Sequence, residues 1–421
     1  MFTSRRITTM GGDKLKDEFS LAFDGVDDYV SLGDNLDLGT SDFTIAFWVK
    51  VNDDFNLNYF FSKYQQEEDR WYFRGNASDP PKLHFYSKTS DTERLSMTGS
   101  TGLDDYLGKW VHIVMSVDRG TSVSFYINGQ LDVTHTGVTQ TNSDSLDNTG
   151  DFNISRFDTT YANQNISELA YYNTALTASQ VATIYNGREP YNHKEGVASS
   201  NLQAWWRMGD GVLDGSSQRD ISAALGDANN DMVSQGIICD ETNPKLGAEL
   251  YTDANSLSTN EANDVSTGIT ALSGITPVDE TTIVSSGSAR SLKYTALGSG
   301  DGIAIDLNNY TTAGKVYRLS VNARHLGSDG VQSIRITGQS GGGNSGETQE
   351  VAVISSGETT FRTFITYWLH DDTDTRWFIS RETAGSDDGG MYLDSFSIKE
   401  VQGNAGVMSN MDKTSLSGDT P

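Results

Sequence analysis

Between positions 43 and 51 the chain alternates, with Phe43, Ile45, Phe47, Val49 and Val51 on one parity and Thr44, Ala46, Trp48 and Lys50 on the other. A period of two predicts a β-strand with one buried face. The alternation returns in Val111, Ile113, Met115 and Val117, and again in Val123, Phe125 and Ile127, after which Asn128 and Gly129 supply the residue pair of a type I′ turn. These segments predict a hairpin. In Arg70–Arg74, Trp71 and Phe73 share a face and Tyr72 takes the other, and parity alone leaves open which face is core. The period changes once: Thr177 and Gln180 form a capping box, Leu176 can staple onto Val181, and Val181, Ile184 and Tyr185 make a helical stripe that Gly187 and Pro190 end. A short helix plugging one edge of a sandwich is expected there.

Past position 247 the period of two resumes. Ile303, Ile305 and Leu307 alternate, as do Tyr317, Leu319, Val321 and Ala323, and then Tyr392, Asp394, Phe396 and Ile398. Gly341–Gly346 reads as a loop joining two strands. The pattern predicts an all-β chain with two β-sandwich domains, one short helix in the first, and extended terminal arms. The expected boundaries are an N-terminal docking arm at 1–18, the first sandwich at 19–191, a linker at 192–246, the second sandwich at 247–401 and a tail at 402–421.

Charge narrows the choice of partners. The 421 residues hold 57 acidic and 30 basic side chains, a net charge of −27. Nucleic acid is argued against, because its backbone is bound by clustered Lys and Arg. So much acid serves solubility in salty surroundings, and the sharper reading is that some of it binds calcium. Cys239 is the only cysteine, so an intrachain disulfide and a thiolate cluster are both excluded. No apolar run reaches the length that crosses a bilayer, so membrane insertion is not expected. The start, Met1–Arg6, has basic residues without an apolar run behind them, and no export signal is read there. Arg5, Arg6, Lys14 and Lys16 make the first arm basic against an acidic body, which suits docking on a partner or neighbouring subunit, the alternative being a disordered terminus. The tail is likewise read as a docked peptide.

Five stretches carry a resemblance: Phe23–Val30, Phe43–Lys50, Gly108–His112, Phe125–Gly129 and Ile166–Thr177. In this order they resemble the laminin-G-like branch of the concanavalin A-like lectin/glucanase superfamily. The resemblance implies a β-sandwich and, in many relatives, a calcium ion joining an early acidic turn to the strand before the last helix. Carried to this chain, that implicates Asp24, Asp27 or Asp28 together with Glu168, with Ser167 standing where an Asp is usual. The alternative for the turn is an Asp-Gly reversal of the chain. Residues 247–401 look like a carbohydrate-binding-module jelly roll: Gly247–Leu250 opens it, Tyr392–Val401 resembles its closing strand, and the resemblance makes Asp394 a structural calcium ligand. Asp253–Ser256 departs from the usual Asn-Gly-Asp-Phe of that family. Leu202–Gly211, and Gly403–Gly406 with Asn410 and Met411, resemble segments of predicted virion proteins of marine bacteriophages. Trp205 and Trp206 are expected to pack that segment onto a domain.

Catalytic patterns are scarce. Gly338–Gly342 satisfies G-x-S-x-G around Ser340, but a Gly-rich loop comes next, where a nucleophile elbow needs a helix. The six histidines show no metal-ligand spacing, with His112 an ordinary sheet residue, and no strand carries the paired carboxylates of a glycosidase. Glu67, Glu68 and Asp69 read as a solvated face. For sugar, flat aromatic faces are needed, and the candidates are Tyr59, Tyr64, Trp71 and Tyr72 in the first sandwich with Tyr367, Trp368 and Trp377 in the second, the core being the favoured place for each. The expected function is a non-enzymatic bacteriophage virion structural protein, as capsid decoration, head fibre or tail fibre, presenting lectin-like modules to glycans or host surfaces. Its expected partners are other virion proteins and a host-surface glycan; it would form a homo-oligomer, taken as a trimer, assembled in the host cytoplasm. The alternative is a secreted or surface polysaccharide-binding protein of a marine bacterium, accessory to a glycoside hydrolase.

Overall fold

The computed structural model describes residues 15, 17–138, 145–189, 191–210, 237–242, 245–251, 269–272, 275, 277–283, 291–296, 298–327, 330–338, 348–370, 374–381, 389–411 and 415–421. Residues 1–14 and 16 of the expected arm, Pro190, Asp253–Ser256, Ser340 and the Gly341–Gly346 loop lie outside them. The chain divides into two units, one of Met1–Gly211 with Asp240–Thr242 and Met408–Pro421, the other of Val212–Cys239 with Asn243–Val407.

The strands of the first unit are β1 (Ser20–Asp24), β2 (Tyr29–Ser31), β3 (Phe43–Val51), β4 (Tyr59–Gln66), β5 (Asp69–Gly75), β6 (Leu83–Thr89), β7 (Thr92–Thr98), β8 (Val111–Asp118), β9 (Ser122–Ile127), β10 (Gln130–Thr136), β11 (Asp151–Ile154), β12 (Arg156–Phe157), β13 (Thr160–Tyr161), β14 (Asn163–Tyr172) and β15 (Leu202–Trp206). One sheet runs β10–β9–β8–β3–β14–β1, and the other β2–β11–β4–β5–β6–β7. All these pairs are antiparallel, and inner faces meet in an aromatic core. Phe47 of the first sheet lies 5.3, 4.6 and 5.8 Å, ring centre to ring centre, from Phe60, Phe61 and Phe73 of the second. Trp71 and Phe73 are fully buried, so theirs is the core face of β5.

Asn128 and Gly129 both take positive φ, 49° and 74°, as the hairpin between β9 and β10 requires. Helix α1 (Ala178–Tyr185) starts on the expected Thr177–Gln180 capping box. It sits on a face rather than an edge. Val181 and Ile184 pack with Ala46, Val114, Tyr126, Tyr172 and Trp205 across the outer side of the first sheet. This corrects the expectation of one buried face for β3: Thr44, Ala46 and Trp48 are buried too, and Trp48 packs between His112 and Tyr185 at 5.0 and 5.7 Å. A Cβ on Gly129 would meet Tyr185 at 2.9 Å, so the turn glycine also admits the helix.

Strand β14 changes neighbours halfway. Its residues 163–166 pair with β1, and Leu169–Tyr172 pair with β15, which comes from the stretch read as linker. The change occurs at a bulge where Glu168 has φ of 51°. On the far edge of β1, Leu416 and Ser417 add one more short strand. Asp419 holds that tail: its carboxylate takes the Lys50 ammonium and, at 2.8 Å, the Trp110 indole N–H, while Ser20 Oγ donates to its carbonyl at 2.7 Å. Of the stretch read as tail, Met408–Pro421 belongs to the first unit of its own chain, while 402–407 belong to the second.

The second unit has one sheet in the order Val278–Glu280, Ser291–Ala296, Gly389–Gln402, Val316–His325, Arg362–Leu369, with Lys245–Glu249 also on Gly389–Gln402. The other runs Ile269–Leu272, Gly302–Asp306, Asp374–Arg381, Gln332–Gly338, Thr348–Ile354. Ile303, Ile305, Leu319, Val321, Ile334, Ile336 and Trp377 fill the space between them. Glu249 ties the opening strand to the closing one, accepting from Ser397 Oγ and the Ile398 N–H, both at 2.6 Å. The expected grouping of Tyr392 and Asp394 with Phe396 and Ile398 is corrected by a bulge: Ser395 has φ of 54°, and the core residues are Met391 and Leu393 before it, Phe396 and Ile398 after it. One extra residue inverts the parity of a strand.

Candidate functional site

The outer face of the second sheet in the first unit gathers aromatic and basic side chains. Antiparallel register sets Tyr59 beside Arg74 and His84, Ser62 beside Tyr72 and Tyr86, and Tyr64 beside Arg70 and Lys88. An irregularity between Tyr59 and Phe61 sends Phe60 and Phe61 into the core and leaves Tyr59 outside. The β12–β13 hairpin then lays Phe157 flat on Tyr59, with centroids 4.8 Å apart and planes at 10°, and edge-on to Tyr72 and Tyr64 at 5.1 and 5.3 Å. Tyr72 and Tyr86 stack at 5.2 Å and 18°. The result is a continuous aromatic floor whose members hold one another in place.

Arg74 crosses this floor. Its guanidinium lies 5.0 Å from the Tyr59 ring centre and 4.7 Å from that of Tyr72, and Nη1 donates to the Tyr59 hydroxyl at 2.9 Å. Burial raises the Tyr59 and Tyr72 hydroxyls above the usual phenol range, against the pull of Arg74. Burial, with Arg74 adding to it, brings His84 down to about 4, so that imidazole is neutral at pH 7. Such a surface can stack sugar rings and donate hydrogen bonds to their oxygens.

The acidic turn forms a second site. Carboxylate oxygens of Asp24, Asp27 and Asp28 lie within 4.8 Å of one another. The turn is held by its own backbone: Val26 N–H donates to Asp24 Oδ1 at 2.7 Å, and Asp24 N–H to Asp28 Oδ2 at 3.1 Å. Gly25, at φ of 79°, passes so near Asn163 that a Cβ would stand 2.9 Å from that side chain. A cavity of about 470 Å³ opens here, lined by the three aspartates, Asn52, Asn163, Asn410 and Ser415. Asn410 donates to the Asp27 carbonyl at 3.1 Å, so part of the cavity wall comes from the docked tail. The donors are all oxygen atoms apart from amide nitrogens, the type of set a hard cation takes.

Glu168, expected at that turn, is elsewhere. Asp24 stands opposite Asn163, and Glu168 is five residues further along β14, about 16 Å at 3.3 Å per residue. It is buried, and its oxygens accept from Trp205 Nε1 and, at 3.0 Å, from Arg207 Nε. Arg207 also donates to the Asp210 carbonyl at 2.8 Å, Asp210 Oδ2 takes the N–H groups of Glu18 and Phe19, each at 2.8 Å, and Ser167 Oγ donates to Asp17 at 3.3 Å. Burial, then the neighbouring Asp210, pushes Asp17 up to about 7. Burial pushes Glu168 to about 8, with Arg207 opposing and Asp17 adding. This clasp fastens the start of β1 to the end of β15.

Among the other expected residues, Trp71 is core, 5.5 Å from Phe152, and Trp377 and Trp368 are core of the second unit, with Tyr367 buried beside Val316 and Val401. Asp394 is fully buried and accepts from Ser395 Oγ at 3.1 Å; among the described residues, no further carboxylate or histidine gathers with it as at the turn. Sequence pattern does not single out Tyr86, Arg70, Arg74, His84 or Phe157 for the sugar face. His84, Tyr86 and Lys88 alternate with Leu83, Phe85 and Ser87 in β6, a signal sufficient to find them; Phe157 comes from a two-residue strand with no such signal.

No curated protein matches the chain. Among solved structures, the CBM22-1 xylan-binding domain of Paenibacillus barcinonensis Xyn10C is similar at 16% identity and TM-score 0.30, over 38% of this chain and 97% of that one. A SAP-like pentraxin from Limulus polyphemus is similar at 16% identity and TM-score 0.31, over 40% and 82%. Domain 4 of AbnA, a GH43 extracellular arabinanase from Geobacillus stearothermophilus, is similar at 21% identity and TM-score 0.27, over 35% and 69%. Residues 24–182, which hold most of both sheets, the acidic turn and the aromatic floor, match the family model of the concanavalin A-like lectin/glucanases superfamily.

Proposed function

We propose that the protein binds glycans without catalysis, and that the floor of Tyr59, Tyr64, Tyr72, Tyr86 and Phe157 is the surface that takes the sugar. The observation that carries this is the gathering of these rings on the outer face of the second sheet, where packing of the sandwich itself does not call for them. Sugar C–H faces lie on aromatic rings, and the arginines at their edges reach hydroxyls. Titration calorimetry against a panel of soluble polysaccharides tests it. Tyr86→Ala is expected to weaken the best ligand roughly tenfold, about 1.4 kcal/mol. Equal affinity in Tyr86→Ala and Tyr64→Ala would remove the face from consideration.

Calcium at the acidic turn is the second part of the proposal. Asp24, Asp27 and Asp28 would supply the charged oxygens and the amides of the cavity wall neutral ones, toward the six to eight that calcium takes. The ion would serve stability, closing the turn against the docked tail. At a hundred times its dissociation constant it would add about 2.7 kcal/mol. A melting curve that stays put when chelator is added, and again when calcium is restored, would count against it.

The setting we propose is a bacteriophage virion assembled in the host cytoplasm, in which the chain joins capsid or tail proteins as a homo-oligomer, a trimer, and attaches to host-surface glycan. The support is the resemblance of Leu202–Gly211, and of Gly403–Gly406 with Asn410 and Met411, to segments of such virion proteins. A polysaccharide-binding protein of a marine bacterium would use the same face. Mass spectrometry of purified particles separates the two, and absence of the chain from them overturns the virion setting.

A further inference from the structure

The proposed sugar face runs against the charge of the chain around it. In a protein of net charge −27, Arg70, Arg74, His84 and Lys88 occupy adjoining positions of β5 and β6. Two of these charges are matched locally: Arg70 pairs with Glu67, and Lys88 with Asp91 at 2.6 Å. Arg74 has no such match. Its neighbours are the Tyr59 hydroxyl and two tyrosine rings, no carboxylate stands within ion-pair distance among the described residues, and its Nε is buried without a hydrogen-bond partner. The adjacent His84 carries no compensating negative charge, and its Nδ1 is likewise buried without a partner.

A guanidinium is planar and offers its N–H groups as a fork that matches the two oxygens of an oxyanion. Two rings hold the Arg74 plane in place, so little side-chain freedom is left to lose on binding. Leaving such a group half-buried without an anion forgoes a charge-assisted hydrogen bond, and the side chains on the face do not supply the anion. The ligand can.

We infer that the glycan is acidic, and that Arg74 receives its oxyanion, a uronate carboxylate or a sulfate ester, while the tyrosine floor stacks the ring that bears it. This rests on the reading of the face as a sugar site and adds the class of sugar. The charge of the whole body repels polyanions at long range, so recognition is local, through one anionic group at Arg74, and screening at physiological salt confines the repulsion to about 8 Å.

The test is titration calorimetry on the full chain with two matched pairs: tetragalacturonate against its methyl ester, and a sulfated galactan oligosaccharide against its desulfated form. We expect the acidic member of at least one pair to bind tenfold or more tighter than its neutral partner. A preference within the first pair identifies carboxylate, within the second sulfate. Arg74→Gln is expected to erase that preference, so that acidic and neutral members bind the variant within twofold of each other. Arg74→Lys, which keeps the charge and most of the stem, is expected to retain part of it, and serves if the glutamine variant does not fold. Equal binding of acidic and neutral members by the unaltered chain overturns this inference and leaves the sugar face standing. Failure of all four, and of the wider panel of polysaccharides, overturns both. Persistence of the preference in the folded Arg74→Gln chain overturns the assignment to Arg74.

Discussion

Arg74 and Arg207 belong to the same unit and have opposite surroundings. Arg207 is enclosed by carboxylates, bonded to Glu168, near Asp17 and Asp210, with the Trp205 ring at 5.3 Å. Arg74 is enclosed by aromatic rings and a hydroxyl. The contrast separates two uses of one side chain. At Arg207 the acceptors are internal, Glu168 and the Asp210 carbonyl, with the Asp17 carboxyl nearby, so the charge is consumed in joining the chain to itself. At Arg74 the surroundings fix the direction of the guanidinium without neutralising it. A cation that is oriented but not matched points outward, and one that is matched points inward.

Removing each arginine is the most direct way to break the contrast. At pH 9, above the value of about 8 to which burial raises Glu168, Arg207→Ala leaves a buried carboxylate without its ion partner, and a loss of about 3–5 kcal/mol of stability is expected in urea denaturation. A loss below about 1 kcal/mol, the range of an exposed pair, would mean that the clasp does not hold the fold.

The clasp should also respond to pH where the sugar face does not. The carboxyls of Asp17 and Glu168 are raised from ordinary values to about 7 and about 8. Their protonated forms are therefore favoured in the native state, and the stability this contributes is complete below about pH 4 and is lost as pH rises through 7 to 8. Thermal midpoints measured from pH 4 to 9 should fall over that window more in the parent chain than in Glu168→Gln. Matching slopes would sink the assignment. Smallest of the three is the cost of Arg74→Ala to the unliganded protein, about 0.5–1 kcal/mol from the lost ring contacts. A loss as large as that of Arg207→Ala would erase the distinction, making Arg74 structural too.

Much of the fold was legible because it is local. Strand β3, the Asn128–Gly129 hairpin and the Thr177–Gln180 cap each rest on residues a few positions apart. Parity was misleading where the backbone breaks it. Glu168 and Ser395 are non-glycine residues at positive φ, a conformation nothing in their side chains announces, and each sits at a bulge that shifts the register of the residues beyond it. The second buried face of β3 was hidden because Thr44, Ala46 and Trp48 do not read as a uniformly apolar row, and the cover over them comes from positions 176–205. Of the candidate sites, the three aspartates were visible as neighbours in sequence. Their partner was not, since Glu168 is drawn away by Trp205 and Arg207, whose placement depends on β15. Tyr59, Tyr64 and Tyr72 were visible as aromatics, but only register shows that they share a face with Arg74 and Tyr86.

The strand at Leu416–Ser417 sets a schedule for folding on the ribosome. Ser20 and the residue that receives its hydrogen bond, Asp419, are 399 positions apart. At the usual pace of synthesis, that separates the emergence of β1 from that of its outer partner by about 20–80 s. Throughout this interval the first unit carries a nascent sheet with an open edge, the state in which strands from neighbouring chains on the same messenger can pair wrongly. The tail thus closes the edge late: a polypeptide translated through Leu416 and Ser417 can pair with β1, and one that stops before them leaves that edge open to chaperones and proteases.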